Sequence, residues 1–235
     1  MDDILGNALL DYFNGLYTED IITESTISEA DEMPLPYLFR AYNDMPAIEQ
    51  KALQLAKGNV LDVGCGAGGH SLYLQNVKKL SITAIDISKG AVDVCKQRGV
   101  KNVQQKNIFE VKEKYDTILL LMNGIGLCGK LERINLFLQH LKNLLTPNGQ
   151  ILVDSSDISY MFDKDEEGGF WVNPNEYYGE VEFTMSYKGQ TSSNFDWLYL
   201  DYNTLQNACH ANGLHCEISA EGEHYDFLAR LTLPQ

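Results

Sequence analysis

Residues 60–69 read VLDVGCGAGG, an apolar strand that runs directly into Gly64, Gly66, Gly68 and Gly69. Glycines packed between the end of a strand and the start of a helix leave backbone N–H groups bare for a ligand. Asp62 stands just ahead of the first glycine, and residues 81–86 (SITAID) read as a second strand ending in Asp86. A carboxylate about twenty residues beyond such a turn is placed to hold the ribose of a nucleotide-like cofactor.

Outward from this stretch the pattern alternates between strand and helix. A helix follows the glycines through residues 70–77, and Ser88 caps another over residues 88–99 that Gly99 closes. A short strand is expected near residues 103–108. Residues 115–122 (YDTILLLM) form a near-continuous apolar run, as in a central parallel strand covered on both faces. Leu131, Ile134, Leu138, Leu141 and Leu145 mark an amphipathic helix that Pro147-Asn148-Gly149 ends, and residues 150–154 (QILVD) give the fifth strand. The result is a doubly wound α/β sheet.

Two segments stand outside this alternation. Residues 1–45 read as an N-terminal lid of helix and loop: Ile4, Leu5, Ala8, Leu9, Phe13 and Leu16 share one helical face, and residues 18–36 (TEDIITESTISEADEMPLP) read as an acidic, flexible loop. The main domain is expected over 46–235, opening on a helix at 46–57 with Pro46 in its first turn. After the fifth strand, residues 168–202 hold both tryptophans, Trp171 and Trp197. Within them, residues 179–187 and 195–200 alternate like a β-hairpin around Lys188-Gly189-Gln190. Asn203 and Gln206 suggest a capping box for a helix reaching Gly213, and two more strands are expected at 215–220 and 225–233.

Composition narrows the function. With 235 residues, 44% hydrophobic and 22% charged, the chain can bury a substantial core. A formal charge of −15 disfavours nucleic acid, whose phosphates an acidic surface repels. No apolar run approaches membrane-spanning length, and Asp2 and Asp3 argue against a secretory leader. Cys65, Cys95, Cys128, Cys209 and Cys216 form no C-x-x-C pair, which points to reduced thiols, a cytoplasmic location and no metal site. Cys65 lies inside the glycine turn, where a small residue is needed.

The glycines fit two spacings. Gly64, Gly66 and Gly69 match the dinucleotide pattern of an NAD(P)-dependent oxidoreductase, whereas Asp62 with Gly64, Gly66 and Gly68 matches D-x-G-x-G. In its succession of elements the chain resembles the class I S-adenosylmethionine-dependent methyltransferases over roughly residues 46–233. VLDVGCGAG is similar to that family's first motif, AIDIS to its second-strand acidic motif, and QQKNIF to its adenine-side motif. YDTILLLMNGIG resembles its fourth-strand motif, and LKNLLTPNGQILVDSS its helix, Pro-x-Gly turn and fifth strand. The resemblance implies a seven-stranded, mostly parallel sheet with an antiparallel last strand, S-adenosylmethionine as cofactor and S-adenosylhomocysteine as product. A small-molecule substrate methylated on N or O is expected, with the protein a monomer or homodimer. An NAD(P)-dependent oxidoreductase and a non-catalytic protein that binds S-adenosylmethionine are the alternatives.

The resemblance also implies residue roles. Gly64, Gly66 and Gly68, with Cys65 among them, would let the backbone approach the methionine part of the cofactor, and Asp62 would order the turn. Asp86 would accept both ribose hydroxyls and Ile87 would pack on the adenine. Asn107, where the family more often has Asp, would accept from the adenine amino group; Ile108 would offer its N–H and Phe109 would cover the ring. Met122 and Asn123 would border the methyl group and its acceptor. Their Asn-Gly-Ile-Gly departs from the Asn-Pro-Pro-aromatic signature of DNA-amine methylases, which counts against that substrate. Arg40, flanked by Tyr37 and Tyr42, would pair with the cofactor carboxylate.

Methyl transfer from a sulfonium needs alignment more than acid–base help, and a general base only if the acceptor carries a proton. Candidates for that role are Asp154, Asp157, Tyr160 and His224, with Ser155 and Tyr225 beside them; the sequence singles out none.

Overall fold

The computed structural model describes residues 3–162, 169 and 176–234. Helix α1 (Ile4–Phe13) starts on Asp3, whose carboxylate accepts from Gly6 N at 3.0 Å. Two short strands follow, β1 (Ile21–Ser25) and β2 (Asp31–Met33), then the single turn α2 (Leu35–Leu38) and helix α3 (Ala47–Leu55). The α/β alternation comes next: β3 (Asn59–Val63), α4 (Gly69–Asn76), β4 (Ser81–Asp86), α5 (Lys89–Arg98), β5 (Val103–Gln105), β6 (Tyr115–Leu120), α6 (Ile134–Asn143) and β7 (Leu145–Ser156). Beyond it lie β8 (Glu180–Tyr187), β9 (Gln190–Thr191), β10 (Phe195–Leu198), α7 (Tyr202–Ala211), β11 (His215–Glu221) and β12 (Asp226–Thr232).

Among the described residues the main sheet has seven strands in the order β11-β12-β7-β6-β3-β4-β5. β5, β4, β3, β6 and β7 are mutually parallel, and β12 runs antiparallel to both its neighbours, as expected. The central strands bury both faces, and side-chain alternation divides them between two cores. Leu61, Ile118 and Leu120 pack with Phe137, Leu138 and Leu141 of α6, while Val60, Leu119 and Leu152 pack with Leu53 of α3 and Leu74 of α4. Ser88 caps α5 by accepting from Ala91 N, and Gly99 ends that helix at φ +95°.

Three local expectations change. The turn expected at residues 147–149 lies inside β7 as an irregularity: Tyr115 pairs with Leu145 and Thr117 with Gln150, so the intervening residues loop out of register. Gly149 is required there, because a Cβ would come within 2.9 Å of the Tyr115 carbonyl oxygen. Helix α7 is capped by Asp201, which accepts from Thr204 N at 2.9 Å, so Asn203 and Gln206 form no capping box. The expected loop over residues 18–36 contains β1 and β2, because β-branched Ile21, Ile22 and Thr23 find a partner strand far along the chain.

That partner is β8. The described residues form a second, five-stranded antiparallel sheet in the order β10-β8-β1-β2, with β9 also on β8. The hairpin between β8 and β9 turns on Lys188 (φ +48°) and Gly189 (φ +74°), two left-handed residues of the kind a tight two-residue hairpin requires. Trp171, the other tryptophan of the expected insertion, lies outside the described residues.

The N-terminal helix is fixed to the main domain. The Asp3 carboxylate that caps α1 also accepts from Gly90 N of α5 at 2.8 Å, and a Cβ on Gly90 would lie 2.5 Å from the Gly6 backbone. Tyr187 and Lys188 reach Asp11 of α1 at 3.2 and 2.8 Å, joining the second sheet to the same helix.

Candidate active site

The C-terminal ends of the five parallel strands and the start of β12 share one edge of the main sheet, where Asp226 pairs with Ser156. In open α/β sheets this edge is where ligands bind. β3 leaves it through a turn in which Gly64, Gly66 and Gly68 adopt φ of +70°, +50° and +81°. Added Cβ atoms give these glycines different meanings. At Gly66 nothing lies within 4 Å, and at Gly64 only Leu127 Cδ1 at 3.7 Å, so both border open space; their N–H groups are not left bare as expected but donate to Asp86 and to the Ile85 carbonyl, each at 2.9 Å. At Gly68 a Cβ would meet Cys95 Sγ at 2.8 Å, which makes that glycine a packing requirement.

Cys65 takes no part in the open face. Its side chain is buried with Ala84, Val92 and Cys95, and contact with the Cys95 thiol together with burial pushes its own thiol pKa far up. The five cysteines are free and buried.

Two carboxylates brace the turn. Asp62, buried in β3, accepts from Ser71 Oγ of α4 at 2.6 Å. Asp86, at the end of β4, accepts from Gly66 N at 2.9 Å through one oxygen and from Ser88 N at 2.8 Å through the other. Burial raises the Asp86 pKa, and those two N–H groups oppose the rise. Ile87 beyond it is 68% exposed, an apolar side chain left facing solvent at the ligand edge.

Asn107 caps a short 3-10 turn, its carbonyl oxygen accepting from Phe109 N at 3.0 Å while Glu110 accepts from Asn107 N. Ile108 is buried and its carbonyl binds His140 Nε2 at 2.9 Å. Phe109 stays half exposed, with its ring against His140 and Phe137.

Of the polar cluster beside the turn, sequence reasoning picked out Arg40 and missed its partners Glu49 and His70. Glu49 of α3 binds Arg40 through one carboxylate oxygen and His70 Nε2 at 2.7 Å through the other. Arg40 also donates to the Tyr37 carbonyl at 2.7 Å, and its guanidinium lies 3.9 Å from the Tyr37 ring centroid. Its Nε is buried without a partner. For Glu49, burial works to raise the pKa, but the hydrogen bond and charge of His70, with Arg40, bring it below the ordinary value. For His70, burial works to lower it, and the Glu49 bond with the Asp62 charge lifts it above. One signal was available: Glu49 sits among Ile48, Ala52 and Leu53 on the buried side of α3. Tyr42 is pinned by stacking on Tyr73 of α4 at 4.0 Å.

At the end of β6, Met122 (φ +66°) and Asn123 (φ +55°) are consecutive left-handed residues. Asp154 accepts from Met122 N at 3.0 Å and Gly124 N at 2.8 Å, so this base candidate is occupied by backbone. Asp157 accepts from Tyr178 OH and Ser159 N, both at 2.9 Å. Tyr160 stacks on Tyr225 with centroids 5.2 Å apart, both largely exposed. His224 is exposed, and its backbone N–H donates to Asp226. The structure thus brings Asp154, Asp157, Tyr160 and Tyr225 to the ends of β7 and β12, and gives His224 no side-chain partner in that group. The described residues hold no cluster able to ligate a metal, and no helix is long and apolar enough to cross a membrane.

The arrangement fits an S-adenosyl ligand: open space at Gly64 and Gly66, an acidic acceptor at Asp86, an exposed apolar Ile87, and an orphaned Arg40 Nε. Comparison with known proteins agrees. The methyltransferase-domain family matches residues 55–206. A SAM-dependent methyltransferase from Bacteroides fragilis, solved with S-adenosyl-L-homocysteine, shares 44% identity over 99% of this chain and 95% of that one, with a TM-score of 0.92. Curated relatives match over shorter stretches. A probable (S)-tetrahydroprotoberberine N-methyltransferase of Papaver bracteatum is 32% identical over 106 residues, 41% of this chain and 28% of that protein. An uncharacterised Synechococcus protein is 34% identical over 110 residues, 42% of this chain and 25% of its own length. The chain thus aligns with only about a quarter of each curated relative.

Proposed function

The chain belongs to the SAM-dependent methyltransferases, and from that premise we propose that it transfers the methyl group to an N or O atom of a small-molecule acceptor. The observation that carries the donor half is the pairing of Asp86 with Gly66: the carboxylate that orders the open turn keeps lone pairs to accept ribose hydroxyls. The cofactor, when bound, supplies an electrophilic methyl group on a sulfonium.

The remaining work is binding and alignment. Gly64 and Gly66 give backbone access, Asp62 fixes α4 against the turn through Ser71, and Ile87 and Phe109 offer apolar surface to the adenine. Arg40 Nε provides a buried donor for a carboxylate. Met122 and Asn123 form the wall nearest the transferred group, and the Tyr160–Tyr225 stack with the Tyr178–Asp157 pair forms an aromatic, acidic approach to it. Such a wall suits a flat or cationic small molecule. The net charge of −15 speaks against nucleic acid, and the N-methyltransferase among the curated relatives favours nitrogen. The second sheet, which joins residues 21–33 to residues 180–198, serves as the cover of this approach.

Two measurements test the reading. Calorimetric titration should show S-adenosylhomocysteine binding and no binding of NAD(P); the reverse result ends the methyltransferase reading. Incubation with methyl-labelled cofactor and a size-fractionated cell extract should put the label in the low-mass fraction. Label confined to protein or nucleic acid would end the small-molecule reading.

A further inference from the structure

We propose that Asp154 is a positioning residue for methyl transfer, its carboxylate holding the backbone of residues 122–124 in the left-handed turn that presents Met122 and Asn123. The inference rests on the reading of this edge as the methyl-transfer site. Neither Met122 nor Asn123 is glycine; the left-handed conformation costs about 1–2 kcal/mol at Met122 and less at Asn123, a residue type that tolerates it. Two in succession persist only where surrounding structure over-determines them.

Asp154 is the group that does so. Leu120 pairs with Val153, so the next residue of β7 reaches across the end of β6, where the turn begins. Its two oxygens take the Met122 and Gly124 N–H groups at 3.0 and 2.8 Å, and the Asp154 side chain is buried. The turn is closed from behind as well. A Cβ on Gly124 would lie 2.7 Å from Leu120 Cβ, the Trp197 indole packs directly on Gly126, and Asn123 Nδ2 donates to the Leu198 carbonyl at 3.2 Å. The carboxylate therefore fastens the turn from the β7 side.

Charged and titratable groups around Asp154 are Glu49 on α3, His70 on α4 and Tyr37 before them. Burial pushes the Asp154 pKa up to about 6, against the pull of the turn's backbone N–H groups. Protonation converts one acceptor oxygen into a hydroxyl and loosens the clamp.

The test uses the full chain with S-adenosylhomocysteine. In the wild type, the Gly124 and Met122 amide resonances should titrate with a midpoint of about 6. In Asp154→Asn that titration should vanish and amide exchange over residues 122–124 should speed up by about tenfold or more. A titration that survives in Asp154→Asn, or unchanged exchange, overturns the proposal. If the variant does not fold, the wild type decides alone: Gly124 and Met122 amides that exchange as fast as freely exposed amides overturn it. Wild-type protein that binds no S-adenosylhomocysteine would instead overturn the methyltransferase reading.

Discussion

Glu49 Oε2 lies 2.7 Å from His70 Nε2, and the other oxygen of the same carboxylate holds Arg40, so one buried anion serves two cations from separate segments. Removing the shared partner of a buried ion pair costs about 3–5 kcal/mol. Glu49→Gln should therefore lower the urea midpoint sharply near pH 6. The pH dependence has a defined sign. The His70 pKa is raised above its ordinary 6.5, so that contribution is complete below 6.5 and is lost as pH rises through the raised value. The Glu49 pKa is lowered below 4.5, so that contribution is present above 4.5 and is lost as pH falls through the lowered value. Urea midpoints of wild type and Glu49→Gln should accordingly be furthest apart near pH 6 and closer at pH 8; a constant gap would remove His70 from the account.

Asp86→Asn removes the charge at the β4 terminus and sets an amide NH2 against one of its two N–H donors. Hydrogen bonds to a charged group contribute about 1.5–3 kcal/mol each, so S-adenosylhomocysteine should bind about tenfold or more weakly by calorimetry. Unchanged affinity would exclude Asp86 from the ribose site.

Gly66→Ala and Gly68→Ala separate ligand space from packing space. Both residues have positive φ, and the strain costs about 1–2 kcal/mol in either case. The Gly66 Cβ enters open space, so that variant should fold with a modest fall in melting temperature and lose most cofactor affinity. The Gly68 Cβ lies 2.8 Å from Cys95 Sγ and 3.2 Å from Val100 Cγ2, so that variant should be the less stable of the two. Equal stability loss, or full binding by Gly66→Ala, would contradict this division.

Asp201→Ala should cost about 1–2 kcal/mol, the range for removing a helix N-cap, because its carboxylate also accepts from Tyr177 OH and Thr204 Oγ1 at 2.7 and 2.6 Å. Asn203→Ala, at an exposed position inside α7, should change stability by less than about 0.5 kcal/mol. Paired denaturation curves give the answer directly.

The main sheet was legible because its signals are local. A strand pattern, a glycine turn and a cap such as Ser88 each fit within a few residues, and the Asp62–Gly64–Asp86 arrangement needs only the crossover rule to bring its parts together. What escaped depends on distant partners. Ile22 pairs with Ser186, and nothing near either residue announces the other. Glu49 on a helix looks like an ordinary solvated charge until Arg40 and His70 arrive on either side. The Pro147-Asn148-Gly149 tripeptide is a turn by composition, yet the β6–β7 ladder resumes on its far side. Asp154 stood as one base candidate among several because the Met122 and Gly124 N–H groups it accepts from belong to another strand's end, about thirty residues away.

Because β1 lies between β2 and β8, the strands of the second sheet come from two distant parts of the chain and share one hydrogen-bonded ladder. Neither part is an interchangeable module. Exchanging residues 180–198 with those of a related enzyme to change its substrate would leave β1 without its register partner. Any graft, or any evolutionary drift in specificity, has to move both ends of the gene together.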